Sequence, residues 1–234
     1  MRLDLLAALN AERLARRACV MVTELESGAQ RLVGLDQVDA DPLAGAIREA
    51  LALRRSRLVG EGAKRAFIAV EVPPPRMLVI GAVHISQALA PMARLAGFDL
   101  TIIDPRTAFA TPERFGDVPV IAEWPDVALP AYGLDPFTAL VALTHDPKVD
   151  EPALIAALKA GCFYVGALGS RRTHARRVER LQAAGLSPEV IGRIHAPIGI
   201  DIGAASPAEI AVAVLAEVIR ALRSGAAHAE GVAA

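Results

Sequence analysis

Short apolar runs recur along the last two thirds of the chain. Each ends at a glycine or a polar cluster, and most are followed by apolar positions at helical spacing. Met77 to Ile80 is such a run and breaks at Gly81, as a buried parallel strand does. From Ile85 to Ala96 the apolar residues return at helical spacing, with Gly97 as a stop. Leu100 to Ile103 is a second run and ends on Asp104. Ala139 to Leu143 and Phe163 to Leu168 repeat the form, emptying into Thr144-His145-Asp146 and Gly169-Ser170-Arg171-Arg172. Helices are expected over Glu151 to Ala160, from Arg171 to about Ala184, and briefly from Ser187-Pro188-Glu189. A long helix follows the capping box Ser206-Pro207-Ala208-Glu209 and runs to about Arg223. Between these lie a helix start at Thr111-Pro112-Glu113 and a strand candidate at Val118 to Ala122. Pro125 to Asp135 reads as irregular, since prolines stand at 125, 130 and 136. Strand and helix thus alternate over residues 76–223. This predicts an α/β fold, a Rossmann-like doubly wound and mainly parallel sheet.

The first 72 residues follow a different pattern. A helix is expected over Leu3 to Arg17, then strands over Ala18 to Leu25 and Arg31 to Leu35 around a turn at Glu26-Ser27-Gly28. Asp41-Pro42 opens a helix through about Arg55, and Ala66 to Val72 is one more strand. The stiff triplet Pro73-Pro74-Pro75 then marks a boundary, so residues 1–72 form a small α+β module. Residues 224–234, rich in small side chains, are expected to form a flexible tail.

Composition narrows the function classes. Hydrophobic content of 53% is ample for a core. The net charge of −1 gives no global pull toward nucleic acid or a membrane surface. Cys19 and Cys162 are too few and too far apart for a disulfide framework, and they read as buried small hydrophobes in a reducing compartment. No run has the length and apolarity of a membrane span, and Asp4, Asn10 and Glu12 interrupt any targeting segment. The expected setting is the cytoplasm.

Candidate chemistry gathers at the ends of the runs. The dinucleotide fingerprint G-x-G-x-x-G would need glycines at 81, 83 and 86, but Val83 and Ser86 stand at the last two. Asp104 holds the place of a ribose-binding acid, about 20 residues on. An NAD(P)-dependent oxidoreductase is therefore one reading, with Val83 against it on steric grounds. Gly169-Ser170-Arg171 opening a helix is the best anion site, because exposed N–H groups and the helix dipole favour a phosphate. The alternative is a solvated arginine face. Thr144-His145-Asp146 offers a general base, or else Asp146 caps the turn before Pro147 and His145 satisfies a buried backbone carbonyl. His84, His145, His174 and His195 have no metal-ligand spacing. His195-Ala196-Pro197-Ile198-Gly199-Ile200-Asp201-Ile202-Gly203 is either a tight crossover or a ligand-facing loop carrying Asp201.

Together these residues resemble a known family, the XdhC/CoxI accessory proteins of molybdenum hydroxylases. The resemblance runs through Gly81-Ala82-Val83-His84, Asp104-Pro105-Arg106, Pro112-Glu113-Arg114-Phe115, Thr144-His145-Asp146 and Val165 to Arg172. It ends with Pro197 to Gly203 and Pro207-Ala208-Glu209-Ile210-Ala211. It implies a Rossmann domain that binds molybdenum cofactor transiently and serves its sulfuration and insertion into an apo-enzyme, without being an enzyme itself. The implied partners are a cysteine desulfurase and a molybdenum hydroxylase of the xanthine dehydrogenase, carbon monoxide dehydrogenase or aldehyde oxidase type. A second copy of the chain or a full-length paralogue would be a further partner. The implied cofactor-binding residues are Gly81, Ala82, His84, Asp104, Arg106, His145, Asp146, Gly169, Ser170, Arg171 and Asp201. Two departures stand out: the family has Gly-Ala-Gly-His where this chain has Val83, and residues 1–72 lack the family's Gly-Gly-Cys segment. A non-catalytic docking scaffold is the remaining alternative.

Overall fold

The computed structural model describes residues 2–230, with side chains through 224. It divides between Pro73 and Pro74 into two compact units, residues from Arg223 onward being grouped with the first.

In the first unit, α1 (Leu3–Leu14) precedes β1 (Cys19–Glu24) and β2 (Gln30–Gly34), and α2 (Ala44–Leu53) precedes β3 (Arg57–Val59) and β4 (Ala66–Glu71). The strands form an antiparallel sheet in the order β2-β1-β4-β3. Val20, Val22, Val33 and Ile68 pack with Ile47 and Ala50 of α2. A 3₁₀ turn, Leu35–Ala40, lies ahead of α2, which starts at Ala44 and not at the expected Asp41-Pro42. The three-residue edge strand β3 is not expected from sequence, being too short for an alternating pattern to register.

The second unit comprises β5 (Arg76–Ile80), α3 (His84–Leu95), β6 (Asp99–Ile103), α4 (Pro112–Phe115), β7 (Val120–Ile121), α5 (Pro125–Tyr132), β8 (Thr138–Ala142), α6 (Pro147–Lys159), β9 (Tyr164–Ala167), α7 (Arg171–Ala183), α8 (Pro188–Ile191), β10 (Ile194–His195) and α9 (Pro207–Glu230). Its six strands are all parallel, in the order β10-β9-β8-β5-β6-β7. Counted in chain order this is 3-2-1-4-5-6 reversed, the arrangement of Rossmann dinucleotide folds. Alternate strand residues go to opposite faces. Met77, Val79, Leu100, Ile102 and Val141 pack with α3 and α9 residues, while Leu78, Ile80, Ile103, Leu140 and Val165 pack with α5, α6 and α7.

Four details depart from the sequence pattern. Residues 125–132 are helical, not irregular: Pro125 takes the first helical position, where no N–H is required, and Pro130 falls in the closing turn. Helix α6 begins at Pro147, ahead of Glu151, because Asp146 caps it by accepting from the Lys148 N–H at 2.9 Å. Ile194–His195 adds a sixth strand where a loop was expected. Helix α9 continues past Arg223 to Glu230, into the stretch expected as a flexible tail, and residues 231–234 lie outside the described residues.

Candidate functional site

Because every strand of the second sheet runs the same way, the loops after them share one edge. The order reverses between β5 and β8, and in such sheets the crevice for a ligand opens beyond those carboxyl ends. Gly81 to His84, Asp104 to Arg106, Thr144 to Asp146 and Gly169 to Arg171 therefore all lie along this edge, as their places at strand ends require.

Three carboxylates buried behind the edge hold its backbone. The first is Asp104, with no exposed surface. Its Oδ2 accepts from the Ala82 N–H at 2.7 Å, and its two oxygens accept the Arg106 fork at 2.9 and 2.7 Å as well as the Arg106 N–H at 2.9 Å. Burial pushes this carboxyl up, but the Arg106 guanidinium and the two N–H donors outweigh it, leaving Asp104 below the ordinary carboxylate value. Asp104 therefore has no oxygen turned to a ligand. It shapes the turn, and Arg106, lying over the Phe109 ring at 4.7 Å, is the part that solvent reaches.

The turn itself is tight. Gly81 has φ +115, and a Cβ there would stand 2.9 Å from Thr144 Cγ2, so the glycine is required by the neighbouring strand end. The Val83 N–H donates to Ser86 Oγ at 2.8 Å. Arg114 closes the outside, donating to the carbonyls of Ala82 and Phe109 and to Gln87 Oε1. His84 points to solvent at the start of α3.

The second acid is Asp150, 1% exposed. It accepts from the Thr144 hydroxyl at 2.7 Å and from the N–H groups of Thr144 and His145 at 3.3 and 3.1 Å. His145 is thereby held at φ +63 with its ring exposed. Burial lifts the Asp150 carboxyl above its ordinary value in spite of these donors.

The third is Glu217 of α9, which accepts from the Tyr164 hydroxyl at 2.7 Å and the Gly199 N–H at 2.8 Å. Its other oxygen meets His195 Nδ1 and Arg220, each at 3.1 Å, and the His195 ring stacks on Tyr164. Burial pushes Glu217 up, but Tyr164, the Gly199 N–H and His195 bring it below the ordinary value. Gly199 also lies against α9, where a Cβ would meet Ala213 and Val214 at 3.1 Å. The loop after β10 is thus locked to the helix.

Between that loop and the β9–α7 turn lies a cavity of about 390 Å³, within the size range of small-molecule sites. Leu168, Ile198, Ile200 and Ile210 give it apolar walls, while Arg171 and Asp201 bring opposite charges to it. Two residues expected from sequence, 30 positions apart, thus line one cavity. Ser170 caps α7 by accepting from the Thr173 N–H at 3.2 Å, and Asp146 does the same for α6. The sequence pattern missed Arg114, Asp150 and Glu217. For the two acids a signal existed: each is a charged residue inside the apolar stripe of its helix, beside Val149 and Ala153 or Val214 and Val218.

The model of the XdhC Rossmann domain matches residues 77–218. An uncharacterized protein of Escherichia coli K12, YqeB, is 35% identical over 161 residues, 68% of this chain and 29% of its own length. PaoD of the same organism, a molybdenum cofactor insertion chaperone, is 35% identical over 146 residues, 62% of this chain and 40% of its own length. A Bacillus subtilis protein named as a probable subunit of xanthine dehydrogenase is 32% identical over 155 residues, covering 66% of this chain and 45% of its own length. The chain therefore spans less than half the length of these curated relatives. A crystal structure described as a xanthine dehydrogenase from Bacillus halodurans aligns with TM-score 0.64 at 22% identity, covering 94% of this chain and 64% of its own, a likeness of fold.

Proposed function

The chain belongs to the XdhC Rossmann-domain family over residues 77–218, and on that premise we propose that it is an accessory protein for maturation of a molybdenum hydroxylase. Its ligand is molybdenum cofactor, received as cargo, protected during sulfuration and passed to the apo-enzyme. The observation that carries this reading is the cavity lined by Arg171 and Asp201. A pterin is a flat ring system with N–H donors at one end and a phosphate at the other. Apolar walls suit its faces, Asp201 its ring donors, and Arg171 its anion. Arg106, His84 and His145, exposed along the same edge, are the residues that a bound cofactor meets toward the switch point, while Asp104 and Asp146 act by holding backbone.

Sulfur comes from a partner in this scheme, a cysteine desulfurase. Burial pushes the thiol of Cys19 up to about 11 and that of Cys162 up to about 12, so neither is a thiolate able to carry sulfur at neutral pH. The nicotinamide reading loses ground for a geometric reason: the Ala82 and Val83 N–H groups, which would face a pyrophosphate, already bond to Asp104 and Ser86.

The test is to incubate the purified chain with cofactor released from a donor enzyme, re-isolate it by gel filtration, and measure bound pterin as its fluorescent oxidation product. Client hydroxylase activity in a deletion strain is the companion measurement. Retained pterin and a loss of client activity are expected. No carried pterin, with client activity unchanged, would sink the reading.

A further inference from the structure

The edge of the sheet carries two glycine turns, and their amides differ. After β5, the N–H groups of Ala82 and Val83 bond within the protein. After β9, Ser170 Oγ serves the Thr173 N–H. Among the described residues, the N–H groups of Gly169, Ser170, Arg171 and Arg172 make no such bond. They open a helix of 13 residues, whose dipole favours negative charge at this end.

A second observation points to the same turn. Arg177, 3% exposed, lies behind it. Its guanidinium reaches back along α7 to donate from Nη2 to the Leu168 carbonyl at 2.9 Å, and its buried Nη1 has no acceptor. Leu168 lines the cavity with Arg171. An unmet N–H on a buried cation is costly in a folded protein and calls for a cause. The acids that attract Arg177 from α6 make no hydrogen bond to it. Asp150 attracts it from α6, but its oxygens are taken by Thr144 and His145, and Glu151 is paired with Arg180. His174 Nδ1, one turn earlier, is also buried without a partner. Its pKa is held down by burial and by Arg177.

We propose that the turn Gly169 to Arg172 is an oxyanion subsite, with Arg177 as its buried positive charge and Arg171 as its closing side chain. It takes a phosphate monoester, the anionic end of whatever occupies the neighbouring cavity. Only the identity of the phosphate's bearer rests on the function proposed above. Arg177 is a positioning residue here: it holds the turn through Leu168 and supplies the field that draws an oxyanion to the four amides. Arg172, Arg176 and Arg180, grouped around a separate hollow with Pro147, are outside this subsite except for the Arg172 N–H.

The full chain, labelled with ¹⁵N, is titrated with inorganic phosphate at constant ionic strength while amide resonances are followed. Saturating shifts at residues 169–172, with Ala82 and Val83 still, are expected. Arg177→Met should weaken phosphate by about tenfold, since the buried positive charge behind the turn and its bond to the Leu168 carbonyl are both lost. Arg177→Lys should keep part of the affinity, and Arg176→Ala all of it. Absence of saturating shifts at the turn, or wild-type affinity in Arg177→Met, would overturn the proposal. If Arg177→Met does not fold, Arg171→Ala decides: weaker binding at the same amides supports the subsite, and unchanged binding removes it. Phosphate binding without pterin binding would leave the subsite standing while the function proposed above falls. Pterin binding with the four amides silent would do the reverse.

Discussion

Gly81 shows how one residue type can serve two causes. In a sequence its place after β5 suggests close approach by a ligand. In the structure the close approach is Thr144, 2.9 Å from where a Cβ would stand, at a φ of +115. Gly81→Ala should therefore destabilise the unliganded protein, by about 1–3 kcal/mol, measured by urea unfolding. Unchanged stability in the variant would contradict the backbone geometry of this turn. The cysteines give a second prediction at this scale. With thiols pushed up to about 11 and about 12, Cys19 and Cys162 should resist alkylation by iodoacetamide at pH 8 in the folded chain and react once it is unfolded. Mass spectrometry reads the difference, and rapid labelling of either in the native state would contradict its burial.

Among elements, the notable arrangement is one buried acid for each of three loops. Asp104 holds the loop after β5, Asp150 the loop after β8, and Glu217 the loop after β10. Glu217 has a depressed carboxyl, so its contribution is present above the unfolded value of about 4.3 and is lost as pH falls through the lower folded value. Glu217→Gln should lower stability at pH 7 by about 1–3 kcal/mol, with the gap to wild type closing in acid. A gap independent of pH between 3 and 7 would assign the loss to packing. Asp150 works the other way. Its raised carboxyl favours the protonated native state, so the stability linked to it falls as pH rises through its folded value. These roles are hard to read from sequence because a carboxylate in an apolar stripe shows that it is buried and not which N–H it meets. The helix caps are legible, since Ser206 and Glu209 serve N–H groups within four residues of themselves. Pro125 to Tyr132 reads as irregular in sequence because proline breaks a helix interior, whereas at a first helical position it is a start.

For the whole molecule, the strand order is that of a dinucleotide fold, and the two glycine turns along its edge differ. The usual phosphate turn is internally bonded, and the open cavity lies toward β9 and β10. Calorimetric titration with NADH should show no saturable binding in the micromolar range, and Val83→Gly alone should not create it, because Asp104 still holds the Ala82 N–H. Micromolar affinity in wild type would restore the oxidoreductase reading. No helix among the described residues is long and apolar enough to cross a membrane.

By itself the sequence determined the alternation of strands and helices, the break at Pro73 to Pro75, the capping residues, and the list of polar clusters at strand ends. All of these are set by periodicity and neighbours within a few residues, where the backbone hydrogen bonds of an element are decided. Tertiary structure alone decided which of those polar groups face outward. Asp104 bonds a residue 22 positions away and Glu217 one 53 positions away. A buried carboxylate takes whichever donors the sheet brings beside it, and that choice exists only once the strands are in order.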